Sequence, residues 1–260
     1  MSLPLENIKI VITRSESQTR NDNEELEKLG ARIYNFPTIK ITKLDDYTET
    51  DEILIQINNF NYMIFTSSNS VKYFFERIVE LKIQINLDKV KIIAIGKGTE
   101  NSLKKINMPI YITASKFSAE NLLKEISTLD IADKKILIPG SEIMRNELYD
   151  GLNKFGAISE KCSVYQNKIP DINKVNIDEL INFDADLFIF TSPSTFVNFI
   201  DILEIEKPID FFKEKKIAVI GPTTKQALMK KGIVPNIIPN NYDMKNLVEE
   251  IKNYYKNQRI

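Results

Sequence analysis

The fold is decided by a stretch that occurs twice: residues 62–76 read YMIFTSSNSVKYFFE, and residues 187–201 read LFIFTSPSTFVNFID. In both places an apolar run that suits a buried strand leads through a short polar turn into a segment with helical periodicity. Phe-Thr-Ser stands at 65–67 and again at 190–192, 125 residues later. The chain therefore contains the same strand–turn–helix pattern at two places.

The repeat continues on both sides of this stretch. At the same shift, VKIIAIGKGTENSLKK at 90–105 corresponds to KKIAVIGPTTKQALMK at 215–230, and FSAENLLKEI at 117–126 corresponds to YDMKNLVEEI at 242–251. A shift of 126 residues aligns KIVITRSE from Lys9 with KILIPGSE from Lys135. Blocks that keep one order and nearly one offset indicate a chain made of two copies of one unit.

Each copy alternates short strands with amphipathic helices. Strands that are apolar on both faces are typical of a parallel sheet buried between helix layers. We place strands at 9–13, 31–36, 62–66, 91–95, 109–112, 135–139, 158–165, 186–191, 216–220 and 234–238. Helical spacing occurs at Leu122, Leu123 and Ile126 and at Leu148, Leu152 and Phe155, and expected helix ends carry Gly30, Gly156 and Gly232. The pattern predicts an α/β fold of two doubly wound parallel-sheet, flavodoxin-like domains.

Two divisions into domains are compatible with this periodicity. A tandem arrangement gives domains at 1–130 and 131–260. An exchanged arrangement joins the first two strands to the last three and inserts the middle five as a second domain. Segments 38–50 and 166–176 are polar, Pro-containing or β-branched, and we interpret them as paired extended linkers.

Composition excludes several classes of function. The 35 basic and 36 acidic residues give a net charge of −1, so no overall positive field would hold nucleic acid or a membrane surface. No apolar run is long enough to span a bilayer, and the N-terminal residues lack the layout of a signal peptide. The single cysteine, Cys162, excludes an intrachain disulfide. We expect a cytoplasmic monomer without nucleic-acid or membrane partners.

The chain contains no histidine. Ser-His-Asp and Cys-His catalysis and most zinc sites are therefore excluded. The glycine turns GKGT at 96–99 and GPTT at 221–224 match neither a phosphate loop nor a dinucleotide fingerprint. We expect no metal and no cofactor, and chemistry carried by carboxylates, Tyr, Lys, hydroxyls or backbone amides.

Polar turns follow most of the predicted strands, and each of them opens a helix. In open α/β sheets ligands bind beyond the carboxyl ends of the strands, where the free N–H groups of helix starts attract anions. The turns lie at 13–15, 66–70, 96–99, 139–141, 191–194 and 221–224. Ordinary N-capping explains any one of them. Their occurrence in two copies favours a shared cleft for several carboxylates or phosphates.

Five short motifs resemble the uroporphyrinogen-III synthase family, in order and over essentially the whole chain. They are IVITR at 10–14, FTSSNSV at 65–71, IAIGKGT at 93–99, VYQ at 164–166 and AVIGPTT at 218–224. The resemblance implies the exchanged arrangement with a two-stranded linker. Its domains would be 1–37 with 172–260, and 42–167 inserted between them, with linkers at about 38–41 and 168–171.

The resemblance also implies a reaction that needs no cofactor or metal. The substrate would be hydroxymethylbilane, a linear tetrapyrrole with eight carboxylates, in tetrapyrrole (haem) biosynthesis. Loss of its hydroxyl as water gives an azafulvene, ring D is turned over through a spiro intermediate, and the macrocycle closes as uroporphyrinogen III. Without an enzyme the same precursor closes to the type I isomer. Shape and electrostatic positioning would carry such a reaction.

The resemblance, together with residue type and position, suggests roles for individual residues; Gly221, Thr223 and Thr224 match the family's cleft turn. Tyr165 matches the family's cleft tyrosine and would donate a hydrogen bond to the leaving hydroxyl, the alternative being a packing residue at a strand end. The carboxylate-binding candidates are Arg14, Thr66, Ser67, Ser68, Lys97, Arg145, Thr191, Ser192, Ser194, Gly221, Thr223 and Thr224. For the charged members of this set, the alternative is a solvated surface position.

Two other functions use the same turns. A two-domain clamshell that binds a small polycarboxylate without chemistry would need no proton donor, so Tyr165 distinguishes it from an enzyme. A cofactor-using phosphosugar transferase is disfavoured because the sequence lacks phosphate-loop and metal motifs.

Overall fold

A computed structural model describes residues 3–114 and 131–258. The chain divides into two compact units, Met1–Lys40 with Lys168–Ile260, called here the split unit, and Ile41–Asn167, called the inserted unit. The sequence-based limits, 1–37 with 172–260 and 42–167, lie within a few residues of this division and remain a prediction about the folding domains.

The elements alternate along the chain as expected for an α/β protein. The strands are β1 (Lys9–Ile12), β2 (Arg32–Asn35), β3 (Lys40–Thr42), β4 (Tyr62–Phe65), β5 (Lys91–Ile95), β6 (Ile112–Ala114), β7 (Lys135–Ser141), β8 (Ile158–Lys168), β9 (Leu187–Phe190) and β10 (Lys216–Val219). The helices are α1 (Glu16–Lys28), α2 (Thr48–Ile55), α3 (Ser68–Glu80), α4 (Lys97–Lys105), α5 (Glu147–Lys154), α6 (Lys174–Phe183), α7 (Pro193–Ile202), α8 (Pro208–Phe211), α9 (Pro222–Met229) and α10 (Met244–Gln258), with a short 3₁₀ turn at Ile57–Asn59.

The split unit contains a sheet of order β10-β9-β1-β2 whose paired strands are all parallel. Because side chains alternate along a strand, Ile10 and Ile12 enter one core and Val11 enters another. The first core is completed by the apolar face of α10, and the second by phenylalanines of α7, of which Phe196 and Phe199 are fully buried. Helices therefore cover both faces of this sheet.

The inserted unit contains a sheet of order β3-β8-β7-β4-β5-β6, in which β8-β7-β4-β5-β6 are parallel neighbours. Met63 and Phe65 point into one core with α3, and Tyr62 and Ile64 point into the other with α5. The helix predicted from Leu148, Leu152 and Phe155 is confirmed as α5, except that α5 ends at Lys154 and Phe155 is exposed rather than part of its apolar face. The helix predicted around Leu122, Leu123 and Ile126 lies outside the described residues.

Two predicted strands differ from the structure, and both contain proline. The strand expected at 109–112 begins only at Ile112, because Pro109 has no N–H to donate. The strand expected at 234–238, which contains Pro235, is reduced to a single bridge between Ala218 and Ile237.

The segment at 40–42, interpreted as part of a linker, forms the edge strand β3 beside β8. The chain passes from the split unit to the inserted unit in β3 and returns to the split unit at the end of β8.

The two sheets have corresponding strand orders. The order β8-β7-β4-β5 in the inserted sheet corresponds, at the sequence shift of the repeat, to β2-β1-β9-β10 in the split sheet. The repeat itself remains a prediction from the sequence.

The predicted glycine helix ends have the left-handed backbone that such positions require, with φ of 98° at Gly30, 81° at Gly156 and 78° at Gly232. At Gly30 space is also short, because a Cβ there would lie 2.9 Å from Leu3 Cβ and 3.0 Å from the backbone N of Glu6. In the described ranges no helix combines the length and apolar character needed to cross a membrane.

Candidate functional site

The polar turns predicted at 13–15, 66–70, 96–99, 191–194 and 221–224 lie at the carboxyl edges of the two sheets, because they follow strands that run in the same direction. The turn predicted at 139–141 is wrong: these residues continue β7, because β8 pairs beside them, and the next helix, α5, begins only at Glu147. In the inserted unit, neighbouring strands β4 and β5 lead into the turns that open α3 and α4. A methyl group added to Gly98 would lie 3.5 Å from Ser68 Oγ, so the starts of α3 and α4 lie close together. In the split unit, β1, β9 and β10 bring together the turns that open α1, α7 and α9.

Ser67 is engaged in holding its own turn. As the N-cap of α3, its Oγ accepts a hydrogen bond from Ser70 N at 3.0 Å, and its N–H donates to Ser70 Oγ at 3.3 Å. This reciprocal pair is a capping box. Thr66 and Ser68, on either side of Ser67, have exposed side chains. In this turn Ser67 therefore fixes the start of α3, while the side chains of Thr66 and Ser68 face solvent.

The copy of this turn in the split unit is built in the same way. Ser192 Oγ accepts from Thr195 N at 3.2 Å, and Ser192 N donates to Thr195 Oγ1 at 3.2 Å. The Ser192 and Ser194 hydroxyls lie 2.9 Å apart, and Thr191 is half-buried. In both turns the cap uses the N–H of the third helical residue, while helix geometry leaves earlier N–H groups without an intrahelical acceptor. The free amide donors are therefore those of Ser68 and Asn69 in the first turn and that of Ser194 in the second, because Pro193 has no N–H.

The GPTT turn opens α9 with Gly221 as N-cap and Pro222 as the first helical residue. Proline has no N–H, so the first amide donors of this helix belong to Thr223 and Thr224. The Thr223 side chain is exposed, whereas Thr224 is only 2% exposed. Thr223 therefore offers a hydroxyl as well as an amide, and the buried Thr224 hydroxyl packs within the unit.

Arg14 is less accessible than a surface cation would be. Only 18% of its side chain is exposed, and its Nη1 lies 2.5 Å from Asp22 Oδ2. Its Nε is buried and has no hydrogen-bond partner in the described part of the chain. Burial raises the pKa of Asp22, and the nearby Arg14 charge opposes that shift. An anionic ligand at Arg14 would have to share this guanidinium with Asp22, a partner that the sequence did not indicate.

The other two predicted cations are on the surface. Lys97 is the first residue of α4, with 73% of its side chain exposed, and its Nζ lies 2.9 Å from Glu100 Oε2. Lys104 forms a second ion pair with the same carboxylate. Hydrogen bonds from Lys104 and then Lys97 lower the pKa of Glu100. Arg145 is exposed in the segment between β7 and α5.

Tyr165 lies in β8, beside the carboxyl end of β7. The β7–β8 register shifts between Gly140 and Ser141, which places Ser141 opposite Tyr165, and Glu142 N donates to Tyr165 O at 2.9 Å. The half-buried Tyr165 ring stacks on Tyr73 of α3, with centroids 5.5 Å apart and an interplanar angle of 29°. Tyr165 thus belongs to the same sheet edge as the polar turns of the inserted unit.

Sequence reasoning missed the buried threonine that ties two turns of the split unit together. Thr38 Oγ1 lies 2.9 Å from Thr195 O and 3.3 Å from Thr13 O, and Thr38 N donates to Thr13 O at 3.1 Å. Asn198 Nδ2 donates to Thr38 O at 2.8 Å. Thr38 therefore fixes the end of β1 against the first turns of α7. Its partners are remote in sequence, and no local pattern distinguishes it from a linker residue.

Cys162 packs rather than reacts, as expected for a cysteine inside a strand. It is fully buried, and this burial raises the pKa of its thiol to about 12, so the nucleophilic thiolate is disfavoured. Across residues 3–114 and 131–258 no group of three or more His, Cys, Asp or Glu side chains is arranged to hold a metal ion.

Because Ser67 is the cap and Ser68 is not, substitution of these two adjacent serines should affect the free energy of unfolding differently. Ser67→Ala removes the cap acceptor and should lower the free energy of unfolding by about 1 kcal/mol. Ser68→Ala, with its exposed side chain, is the matched control and should change the free energy of unfolding by less than about 0.5 kcal/mol. Urea unfolding followed by circular dichroism measures both. Equal losses in the two variants would contradict the assignment of the turn-holding role to Ser67.

Sequence comparison relates the chain to one family over nearly its whole length. The family model described as uroporphyrinogen-III synthase HemD matches residues 21–249. Uroporphyrinogen-III synthase of Chlorobaculum parvum is 31% identical over 242 residues, which are 90% of this chain and 94% of that protein. A putative uroporphyrinogen-III synthase of Methanocaldococcus jannaschii is 29% identical over 246 residues, 94% of this chain and 98% of the relative.

Solved structures with the same family name share the fold. A mutant uroporphyrinogen III synthase from the extremely thermophilic bacterium Thermus thermophilus has a TM-score of 0.67 at 15% identity and covers 97% of this chain and 99% of its own. The uroporphyrinogen-III synthetase of Helicobacter pylori has a TM-score of 0.62 at 20% identity, with coverage of 93% and 97%. The two-domain α/β fold and the resemblance drawn from the motifs are thus confirmed, and the chain belongs to the uroporphyrinogen-III synthase family.

Proposed function

We propose that this protein is a uroporphyrinogen-III synthase, a cyclising lyase that converts hydroxymethylbilane into uroporphyrinogen III and one molecule of water. The observation that carries the proposal is the 31% identity to a curated uroporphyrinogen-III synthase across 90% of this chain. The proposal includes the absence of a cofactor, a cytoplasmic location and a monomeric state, as expected from the sequence.

The chemistry of the polar turns suits a substrate of this kind. Hydroxymethylbilane is a flexible polyanion, and the enzyme must hold it in one folded conformation while the ring closes. Amide N–H groups at helix starts bind carboxylates without the desolvation cost of buried charged side chains. The turns at Ser67, Ser192 and Gly221 offer such donors on rigid supports, because each begins a helix that is packed on its sheet.

Tyr165 is the proposed proton donor. A phenol can donate a hydrogen bond to the hydroxyl that leaves as water, which assists formation of the azafulvene. The side chain lies at the carboxyl end of the inserted sheet and stacks on Tyr73, so its ring has a defined orientation. The chain has no histidine that could take this role.

The alternative of a clamshell that binds a polycarboxylate without chemistry is not favoured. Relatives that match nearly the whole chain bear the name of an enzyme. The binding module would use the same turns, so the two functions differ in turnover rather than in affinity.

Product analysis tests the proposed activity. Freshly prepared hydroxymethylbilane, incubated with the protein and then oxidised, should yield predominantly type III uroporphyrin on chromatographic separation, at a rate proportional to protein concentration. Heat-unfolded protein is the control and should leave the spontaneous type I product. Type I product alone, in the presence of folded protein, would refute the proposal.

Tyr165→Phe tests the donor role separately. The variant keeps the ring stacked on Tyr73 but removes the hydroxyl, so kcat should fall by about 10²-fold with little change in KM. Tyr62→Phe is the matched control, since Tyr62 is a strand tyrosine of the same sheet whose ring packs against Tyr111. It should retain kcat within about twofold, as expected for a hydroxyl remote from the chemistry. Full activity of Tyr165→Phe would leave Tyr165 as a packing residue.

A further inference from the structure

Tyr73 contacts the proposed proton donor directly. It lies in the middle of α3, and its ring stacks on that of Tyr165 at a centroid distance of 5.5 Å and an angle of 29°. Tyr73 itself is 8% exposed and belongs to the core of the inserted unit, whereas Tyr165 is half-buried and packs against that core from its margin. Of the two stacked rings, that of Tyr73 is therefore the more deeply packed.

The hydroxyl of Tyr73 is fixed as well. It donates to the backbone carbonyl of Ile41 at 2.9 Å. Burial raises the pKa of Tyr73, so the phenol stays protonated and keeps donating this bond at neutral pH. Ile41 lies in β3, the edge strand beside β8, which carries Tyr165. Tyr73 thus connects helix α3 to two adjacent strands, by a hydrogen bond to one and a ring contact to the other.

Because the Tyr73 hydroxyl already donates a hydrogen bond to a backbone carbonyl, it is a poor candidate for substrate contact. The chemistry of Tyr73 therefore differs from that of Tyr165, although the two rings are adjacent. What Tyr73 supplies is orientation: a neighbour stacked on the ring face restricts χ1 of Tyr165, the torsion that displaces the ring and carries the hydroxyl with it. Displacement of a catalytic group by about 1 Å is enough to lower a rate by about 10²-fold.

We propose that Tyr73 is a positioning residue, which holds the Tyr165 phenol in the orientation needed to assist departure of the hydroxyl from hydroxymethylbilane. The inference rests on the proposed function, and it concerns a residue that none of the five family-like motifs includes. Two parts of Tyr73 contribute differently. The ring orients Tyr165, and the hydroxyl fixes Tyr73 itself to Ile41.

The test is a double-mutant cycle between Tyr73 and Tyr165, read as kcat and KM for type III product. Tyr73→Leu removes the stacked ring and should lower kcat by about tenfold or more with little change in KM. Tyr73→Phe keeps the ring and should restore most of that loss. In a Tyr165→Phe background, Tyr73→Leu should lower kcat by less than about twofold, because the hydroxyl that Tyr73 positions is already absent.

Phe75→Leu is the matched control. Phe75 lies on the same helix and stacks on Phe65 with centroids 5.7 Å apart at 24°, a geometry close to that of the tyrosine pair. Its loss should destabilise the protein as Tyr73→Leu does, while kcat of the folded protein stays within about twofold of the unmodified value. Additive losses in the cycle, or an equal fall in kcat for Phe75→Leu, would overturn the positioning role.

This outcome is separable from failure of the proposed function. If the unmodified protein makes no type III product, the function itself fails before the cycle is measured. If the unmodified protein is active and the cycle is additive, the function stands and only the role of Tyr73 is rejected.

Discussion

The constraint on which this molecule depends is the burial of parallel strands on both faces. Strands such as LFIF at 187–190 and YMIF at 62–65 are wholly buried, so helices must cover both sides of each sheet. Parallel pairing then collects the carboxyl ends of the strands at one edge of each sheet. Most residues proposed for substrate binding lie where β1, β4, β5, β9 and β10 end, while Arg145 lies in the segment after β7 and Tyr165 lies within β8. The position of the chemistry is thus a consequence of how the core is filled.

At the carboxyl edge of each sheet, the residues that cap the helices lie next to the residues proposed to bind an anion. Ser67 and Ser192 cap their helices, and their neighbours carry the amides and hydroxyls that remain for a ligand. The charged candidates are less available to a ligand than unpaired cations would be. Arg14 is paired with Asp22, and Lys97 with Glu100. A site made largely of backbone amides suits a substrate with many carboxylates, because amides are numerous at helix starts and need no counter-ion.

The sequence was sufficient for features that depend on local pattern. Apolar runs located most of the strands, and polar turns located the starts of α1, α3, α4, α7 and α9, because strand burial and N-capping act over a few residues. The turn expected at 139–141 belongs instead to β7. The strand errors occurred at Pro109 and Pro235, where missing N–H groups outweigh apolar character. The remaining misses were contacts between residues remote in sequence. Thr38 reaches Thr195, and Tyr73 reaches Tyr165, through packing that no periodicity encodes.

The central claim is that helix-start amides bind the carboxylates of the tetrapyrrole. It is tested most directly by NMR titration of ¹⁵N-labelled protein with uroporphyrinogen III under anaerobic conditions. We predict that saturable shifts will be largest for the amides of Ser68 and Asn69 and of Thr223 and Thr224. Saturable shifts that leave these four amides unmoved, at ligand concentrations that occupy the protein, would contradict the account.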